Sequence, residues 1–324
     1  MEHNLKRCTK CVLPETFPKI SFDSRGVCNF CATYEKSKPD PEKEKRLAEI
    51  FEKLKKRKQP YDCLVPVSGG KDSAYILYLI KTKFKLNPLA ITLNNLFRSG
   101  IADQNLEKVL EKLDVDHIMV NPRPSILKKL YKRFLENEGK GKFTSEFCIP
   151  CNIAIWVTVN KFSRLFNIPV IYGGIREIES SPEELFGFSS KYFKEIAKDV
   201  LTEAEMREFI PFDFDYKNAS FDNELESIWL FDYVYWRRSD EKKALEKLGW
   251  SKGDNISEIH IDCTLHDICS YFHMKKWGGA RTALHYSKMI RRGDMKRDEA
   301  MALLEKEEKK NVSKDMTMFR SKIQ

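Results

Sequence analysis

Between Asp62 and Ser73 the chain reads DCLVPVSGGKDS, and no other stretch limits its fold as tightly. Asp62–Val67 is a short apolar run suited to a buried parallel strand, with Pro66 as the one residue that cannot donate to a ladder. The run breaks at Ser68-Gly69-Gly70, and Lys71-Asp72-Ser73 opens a helical pattern that continues to about Lys83. Two glycines let backbone amides converge on one point without side-chain obstruction. The positive end of the following helix favours an anion at the same point. Lys71 supplies a mobile charge for phosphate oxygens, Asp72 either holds magnesium or caps the helix, and Ser73 offers a hydroxyl in the first turn. A purely structural strand-to-helix turn needs only one glycine. A Walker A loop would end in Gly-Lys-Ser/Thr after a longer loop, and that pattern is absent.

The same alternation continues downstream. Pro88–Asn94, Asp116–Asn121 and Ile168–Tyr172 read as strands; Ala102–Leu113, Pro124–Asn137 and Cys151–Phe166 read as helices. This order predicts an α/β fold with a doubly wound parallel sheet and right-handed crossovers. Ligands in such sheets sit outside the carboxyl ends of the strands. Thr92 and Asn94 are therefore candidates for the adenine side of a nucleotide, and Gly173 and Gly174 for close backbone approach to ribose or α-phosphate. Arg176 would neutralise a leaving group or substrate; ordinary strand-end packing accounts for all five equally well. Beyond Gly174, Glu177–Ser220 reads as irregular. Helices follow over Asn223–Arg238, Asp240–Leu248, Leu265–Lys276, Arg281–Arg292 and Lys296–Glu307. Four parts result: a cysteine-bearing module (1–37), a helical connector (38–60), an ATP-binding α/β domain (61–176) and a mostly helical region for substrate or oligomerisation (177–324).

Six of the nine cysteines form Cys-x-x-Cys pairs. Cys8/Cys11 and Cys28/Cys31 are separated by 16 residues, a spacing that suits a tetrahedral four-thiolate zinc site. Residues 1–37 hold too few apolar groups to fold without such a staple. Cys148 and Cys151 stand at a helix start, where thiol pKa values tend to fall. With Cys263 they would hold a 4Fe–4S cluster with one open iron. A redox pair of Cys148 and Cys151 alone, or a structural pair with Cys263 and Cys269 incidental, are the competing readings. Cys63, inside a strand, reads as a core thiol.

His266, Cys269 and His273 follow helical spacing, near His260 and His285, either as ordinary packing or as a metal array. Trp229, Phe231, Tyr233, Tyr235 and Trp236 read as an aromatic helix, suited to core packing or a homodimer contact. The net charge of +9 favours an anionic partner, although mixed Lys/Glu runs mostly mark solvated helix faces. No run is apolar enough to span a membrane, and Met1-Glu2-His3-Asn4 opens no signal peptide, so a cytoplasmic location is expected.

The loop resembles the SGGxDS signature of PP-loop ATP pyrophosphatases, which pass AMP to a carbonyl-type oxygen and release pyrophosphate. Over both ends and the core the chain resembles the N-acetyl sugar amidotransferase family within that group. The matching segments are RCTKCVLPETFPKISFDSRGVCNFC, YDCLVPVSGGKDS, NIPVIYGG and KMIRRGDMKRDEAMALLEK. The resemblance implies ATP-dependent amidation of a nucleotide-linked N-acetyl sugar, with ammonia from a separate glutaminase. Gly173-Gly174-Ile175-Arg176-Glu177 departs from the Gly-Glu pair expected there. Cys148, Cys151 and Cys263 also look like the cluster cysteines of PP-loop tRNA sulfurtransferases, which implies the alternative of sulfur transfer to a tRNA base or small molecule. An ATP-binding scaffold without turnover is a third reading, disfavoured by the intact Lys71, Asp72 and Ser73.

Overall fold

The computed structural model describes residues 5–35, 38–138, 140, 146–173, 190–211, 227–255 and 259–324. The connector is the helix α1 (Pro41–Lys56), started by Pro41 at its first position and by Asp40, whose carboxylate accepts from the amides of Glu42 and Lys43. Leu47, Ile50, Phe51 and Leu54 line one side of α1 and are buried. They join the same core as Cys63, Val65 and Ile171, so α1 is part of the main hydrophobic body. Cys63 is fully buried there, as expected of a core thiol.

From Cys63 the chain alternates: β1 (Cys63–Pro66), α2 (Lys71–Tyr78), β2 (Pro88–Leu93), α3 (Gly100–Leu113), β3 (His117–Val120), α4 (Pro124–Glu136), α5 (Ile149–Phe166) and β4 (Val170–Tyr172). A fifth strand, β5 (Ser227–Trp229), completes a parallel sheet in the order β3-β2-β1-β4-β5. The order reverses at β1, which puts the Ser68–Ser73 loop at the switch point of a doubly wound sheet. Pro66 is tolerated because it ends β1. Its nitrogen lies on the β4 side, past the single Leu64–Val170 pairing, whereas Val67 still donates to Ile91 on β2 at 2.8 Å. One face of the sheet packs on α1, α2 and α3; the other packs Leu64, Leu89, Ile91 and Val170 against Val159 of α5. No described helix is long and apolar enough to cross a membrane.

Three expectations need correction. The stretch expected to be irregular contains α6 (Ser190–Ala197) and α7 (Glu203–Phe209), the latter opened by a Thr202/Glu205 capping box. Asn223–Arg238 is not one helix among the described residues: Ser227–Trp229 pairs with β4, and a single helical turn follows at Leu230–Tyr233. A strand covered on both faces shows no alternation, so its apolar run looks helical. The aromatic residues there pack within the chain, with Phe231 against Tyr75 and the Trp236 ring 4.2 Å from the Arg292 guanidinium. The tail then forms α8 (Arg238–Leu248), α9 (His266–Trp277), α10 (Thr282–Arg292) and α11 (Arg297–Glu308). A last helix that the sequence reading did not anticipate, α12 (Ser313–Ile323), buries Phe319 against Phe97 and Tyr131.

Because α1 belongs to the core, Phe51→Ala should cost about 3–5 kcal/mol of stability, the usual cost of emptying a buried aromatic site. Equilibrium urea unfolding measures this, and a loss under about 1 kcal/mol would show α1 to be a detachable connector.

Candidate active site and metal centre

The loop after β1 is built by glycine and two serines. Gly69 has φ +89°, and a Cβ placed on it would stand 2.2 Å from the Ala102 carbonyl oxygen of α3, so only glycine fits. The Ser68 amide donates to Ser73 Oγ at 3.2 Å, the Gly70 amide to Ser68 Oγ at 3.2 Å, and Ser73 Oγ to the Gly70 carbonyl at 3.1 Å. The Trp250 indole N–H holds the Gly69 carbonyl at 2.9 Å. The loop therefore presents polar donors at the start of α2 in a fixed arrangement.

Lys71 is buried, with Nζ 2.5 Å from Asp72 Oδ1 and 3.6 Å from Glu241 Oε1. Glu241 on α8 is itself buried and pairs with Arg238. Neither residue of α8 was singled out in the sequence, where they read as one more Lys/Glu-rich helix face. The surrounding protein works to raise the Asp72 pKa, but the adjacent Lys71 ammonium outweighs it and holds the carboxyl at about 2. Asp72 is thus an exposed, ionised carboxylate beside the loop, suited to a divalent cation.

The segment 259–265 crosses this region, tied by Ser99 N to the Asp262 carbonyl (3.4 Å) and Thr264 N to the Phe97 carbonyl (2.8 Å). It brings His260, Asp262 and Cys263 into one cavity with Ser68, Asn95, Cys148, Cys151, Cys269 and Arg281. All three expected cysteines thus meet at the phosphate loop, and Cys269, read as incidental, joins them with its Sγ 2.9 Å from that of Cys148. Asn95 Nδ2 bridges Cys151 Sγ at 3.4 Å and Cys263 Sγ at 3.7 Å. The expected lowering of the thiol pKa values does not occur. Burial pushes Cys151 up to about 11 and raises Cys263, and the Cys269 contact with burial raises Cys148. The raised thiols are protonated near pH 7 and are not set for free thiolate attack, and among the described residues only the N-terminal cysteines gather closely enough to hold a metal ion.

Other candidates fall differently. Thr92 is buried beneath the loop, its hydroxyl bonded to the Val67 carbonyl and 2.8 Å from His117 Nε2. The Asn94 side chain is tied to Asn121 (2.9 Å) and the Leu96 amide (3.0 Å). Gly173 sits against Ile76, where a Cβ would come within 2.7 Å. Gly174 and Arg176 lie outside the described residues. His266, Cys269 and His273 share α9, but the three turn to different partners. The His266 ring stacks on His260 with centroids 5.1 Å apart, Cys269 meets Cys148, and His273 Nδ1 lies 2.6 Å from the Gly279 carbonyl.

At the N-terminus, Cys8, Cys11, Cys28 and Cys31 are all buried with their sulfurs within 4.8 Å of one another. Cys8–Cys31 and Cys11–Cys28 sulfurs are 4.0 and 3.8 Å apart, against about 3.8 Å for a tetrahedral four-thiolate site with metal–sulfur bonds of about 2.3 Å. A hydrogen bond with Cys11, together with burial, pushes the Cys31 thiol up to about 12. The cluster fits a metal. The module docks on the tail: Arg297 Nε donates to the Cys8 and Cys11 carbonyls at 3.3 and 2.9 Å, Arg7 pairs with Glu308 at 2.6 Å, and the Val12 amide donates to Ser287 at 3.3 Å.

Residues 260–324 match the family described as LPS biosynthesis protein WbpG-like, C-terminal domain. That match bears out the resemblance read from the sequence. The matched segment supplies His260, Asp262, Cys263, Arg281 and His285 around the loop. The uncharacterized protein MJ1599 of Methanocaldococcus jannaschii is 26% identical over 302 residues, 93% of each chain. The tRNA-specific 2-thiouridylase MnmA 2 of Fusobacterium nucleatum is 35% identical over 106 residues, 32% of this chain and 29% of that protein. Among solved structures, NMN synthetase from Francisella tularensis overlaps 78% of this chain and 92% of its own at TM-score 0.37 and 13% identity. U34-tRNA thiolase NcsA from Methanococcus maripaludis, solved with its 4Fe-4S cluster, overlaps 95% and 93% at TM-score 0.36 and 15% identity. At these scores neither overlap adds to the reading of the site.

Four histidines surround the cavity and its neighbour, of which His273 is buried, His266 and His285 are half-buried and His260 is exposed. Desolvation by the surrounding protein, with the nearby Arg281 and Lys71 charges, lowers His260, His266 and His285 to about 3 and His273 to about 4. Their folded pKa values lie below the ordinary 6.5, so the unfolded chain binds more protons between pH 6.5 and 3. Their contribution to stability is full above pH 6.5 and is lost as the pH falls through that window. Glu138, raised by burial to about 7, acts in the opposite sense, contributing below its ordinary value of 4.5 and losing this as the pH rises through 7. With these four and His117, also lowered, against Glu138 and Glu307, also raised, the urea midpoint should fall between about pH 7 and pH 5, and His285→Asn should flatten that slope.

Proposed function

We propose that this chain is an ATP-dependent amidotransferase that adenylates a nucleotide-linked N-acetyl sugar and then adds ammonia. The carrying observation is the meeting of the Ser68–Ser73 loop with the WbpG-like segment in one cavity. Residues 68–73 hold the triphosphate. Its oxygens take over the amide contacts now made by the Ser68 and Ser73 hydroxyls, and Lys71 swings from Glu241 to the phosphates. Thr92, Asn94, Gly173 and Gly174 frame the adenosine half, chiefly through backbone, since the Thr92 and Asn94 side chains are engaged.

The amide carbonyl oxygen of the acetamido group attacks the α-phosphorus, and pyrophosphate leaves as the Pα–O bond to it breaks. Charge spreading onto pyrophosphate is stabilised by Lys71 and the loop amides. Magnesium, for which ionised Asp72 is a fitting ligand, neutralises phosphate charge when bound. Ammonia then adds to the activated carbon, AMP leaves carrying the former carbonyl oxygen, and the acetamido group becomes an acetamidine. Ammonia is supplied by a separate glutaminase, and the reaction is cytoplasmic. Cys8, Cys11, Cys28 and Cys31 hold a structural zinc.

A second reading, sulfur transfer to a tRNA base or small molecule, is favoured by one observation: Cys148, Cys151 and Cys263 line the same cavity as Ser68. A 4Fe–4S cluster held there would carry the sulfur.

Anaerobic purification with zinc and iron quantitation separates the two. About one zinc and no iron per chain is expected, and about four irons would replace amidation by sulfur transfer. With a sugar-nucleotide acceptor present, Lys71→Ala should lower pyrophosphate release by about 100-fold or more, the scale of losing one group that stabilises transition-state charge. Release unchanged in Lys71→Ala would remove the loop from the chemistry.

A further inference from the structure

Beside the phosphate-loop cavity lies a second chamber of about 190 Å³, walled on one side by Pro14, Phe17 and Pro18 of the four-cysteine module. The other side is formed by α10 and the end of α9, with Trp277, Arg281, Leu284 and Lys288. His260 and Arg281 line both cavities, so the two meet at that pair. We infer that this chamber is the acceptor pocket: it seats the sugar of an anionic sugar nucleotide between Phe17 and Trp277, with its acetamido carbonyl at His260 and Arg281 facing the ATP α-phosphate. The inference rests on the amidotransferase reading above and adds where the acceptor binds and what recognises it.

Position comes first. An acceptor oxygen must approach the α-phosphorus to about 3–3.5 Å before it can attack. Only a chamber that opens onto the loop allows that. This one shares His260 and Arg281 with the cavity that Ser68 lines, and no ion pair ties down the Arg281 guanidinium among the described residues. Chemistry comes second. Arg281 and Lys288 are the cations lining the chamber, and no described lining residue is a carboxylate. That balance selects an anionic ligand such as one carrying a diphosphate. Three imidazoles in the wall, His260, His273 and His285, are neutral at about pH 7 because desolvation by the surrounding protein and nearby positive charge lower them. Neutral imidazoles suit hydroxyls and an uncharged amide. The Trp277 indole Nε1 is buried without a hydrogen-bond partner among the described residues, which leaves one donor unsatisfied in the wall. The flat apolar faces of Phe17 and Trp277 suit the C–H face of a sugar ring. The four-cysteine module then has a direct role, since its Pro14–Pro18 segment closes the pocket.

Calorimetric titration of the full chain with UDP-N-acetylglucosamine tests this, with a non-hydrolysable ATP analogue as the second probe. Lys288→Glu and Trp277→Leu should each weaken the sugar nucleotide by about tenfold or more, the scale of losing one charge-assisted or aromatic contact. Affinity for the ATP analogue should stay within about twofold, and bound zinc should be retained, as evidence that both variants fold. Unchanged sugar-nucleotide affinity in both folded variants would overturn the pocket assignment and leave the amidotransferase reading standing. A wild-type chain that binds the ATP analogue but not UDP-N-acetylglucosamine would overturn the acceptor class, and the inference with it.

Discussion

Four sulfur atoms hold the two ends of this chain together. Residues 5–35 have little apolar material of their own: Leu13 and Phe17 are buried, but mainly around the sulfurs and against Leu284 and Ile290 of the tail. What shapes the segment is the convergence of Cys8, Cys11, Cys28 and Cys31 at tetrahedral spacing. Once shaped, it offers the carbonyls of Cys8 and Cys11 to Arg297 and the Arg7 guanidinium to Glu308. Those contacts fix α10 and α11, and α10 carries His285 and Lys288 toward the phosphate loop. The four-cysteine cluster thus sets the geometry of the cavity roof.

At the floor, the decisive constraint is the close approach of Gly69 to the Ala102 carbonyl, which leaves no room for any side chain. It presses the loop onto α3 and leaves its polar groups turned toward segment 259–265. The electrostatics are arranged in two layers. Lys71, Glu241 and Arg238 form a buried charged cluster below the loop. Such a cluster is costly to desolvate and is weak evidence of stability in itself, but it holds Lys71 at the start of α2. Above the loop, the imidazoles are uncharged and the thiols protonated. Around the loop, the positive charges of Lys71 and Arg281 stand beside the carboxylates of Asp72, Asp262 and Glu241.

Much of the sheet was legible because its strands are short, apolar and bounded by turn residues; β1 to β4 stand close to their expected positions. β5 was missed because Ser227–Trp229 is covered on both faces and lies in an aromatic run whose period does not distinguish strand from helix. In the site, the loop and the first cysteine set were readable because their residues are adjacent or regularly spaced. Glu241 and Trp250 were not, since each acts through a contact with a distant part of the chain.

The sequence alone determined the strand–loop–helix at 62–78, the parallel α/β fold around it and the four-thiol module, since each depends on local periodicity, backbone freedom or ligand spacing. Only the tertiary structure decided what stands over the Ser68–Ser73 loop. Chain folding brings residues 148–151, 260–269 and 281–285 to one point, and no local pattern encodes which distant segments share a cavity. It also decided the charge state of that point, because burial, which sequence does not show, keeps the thiols protonated and the histidines neutral.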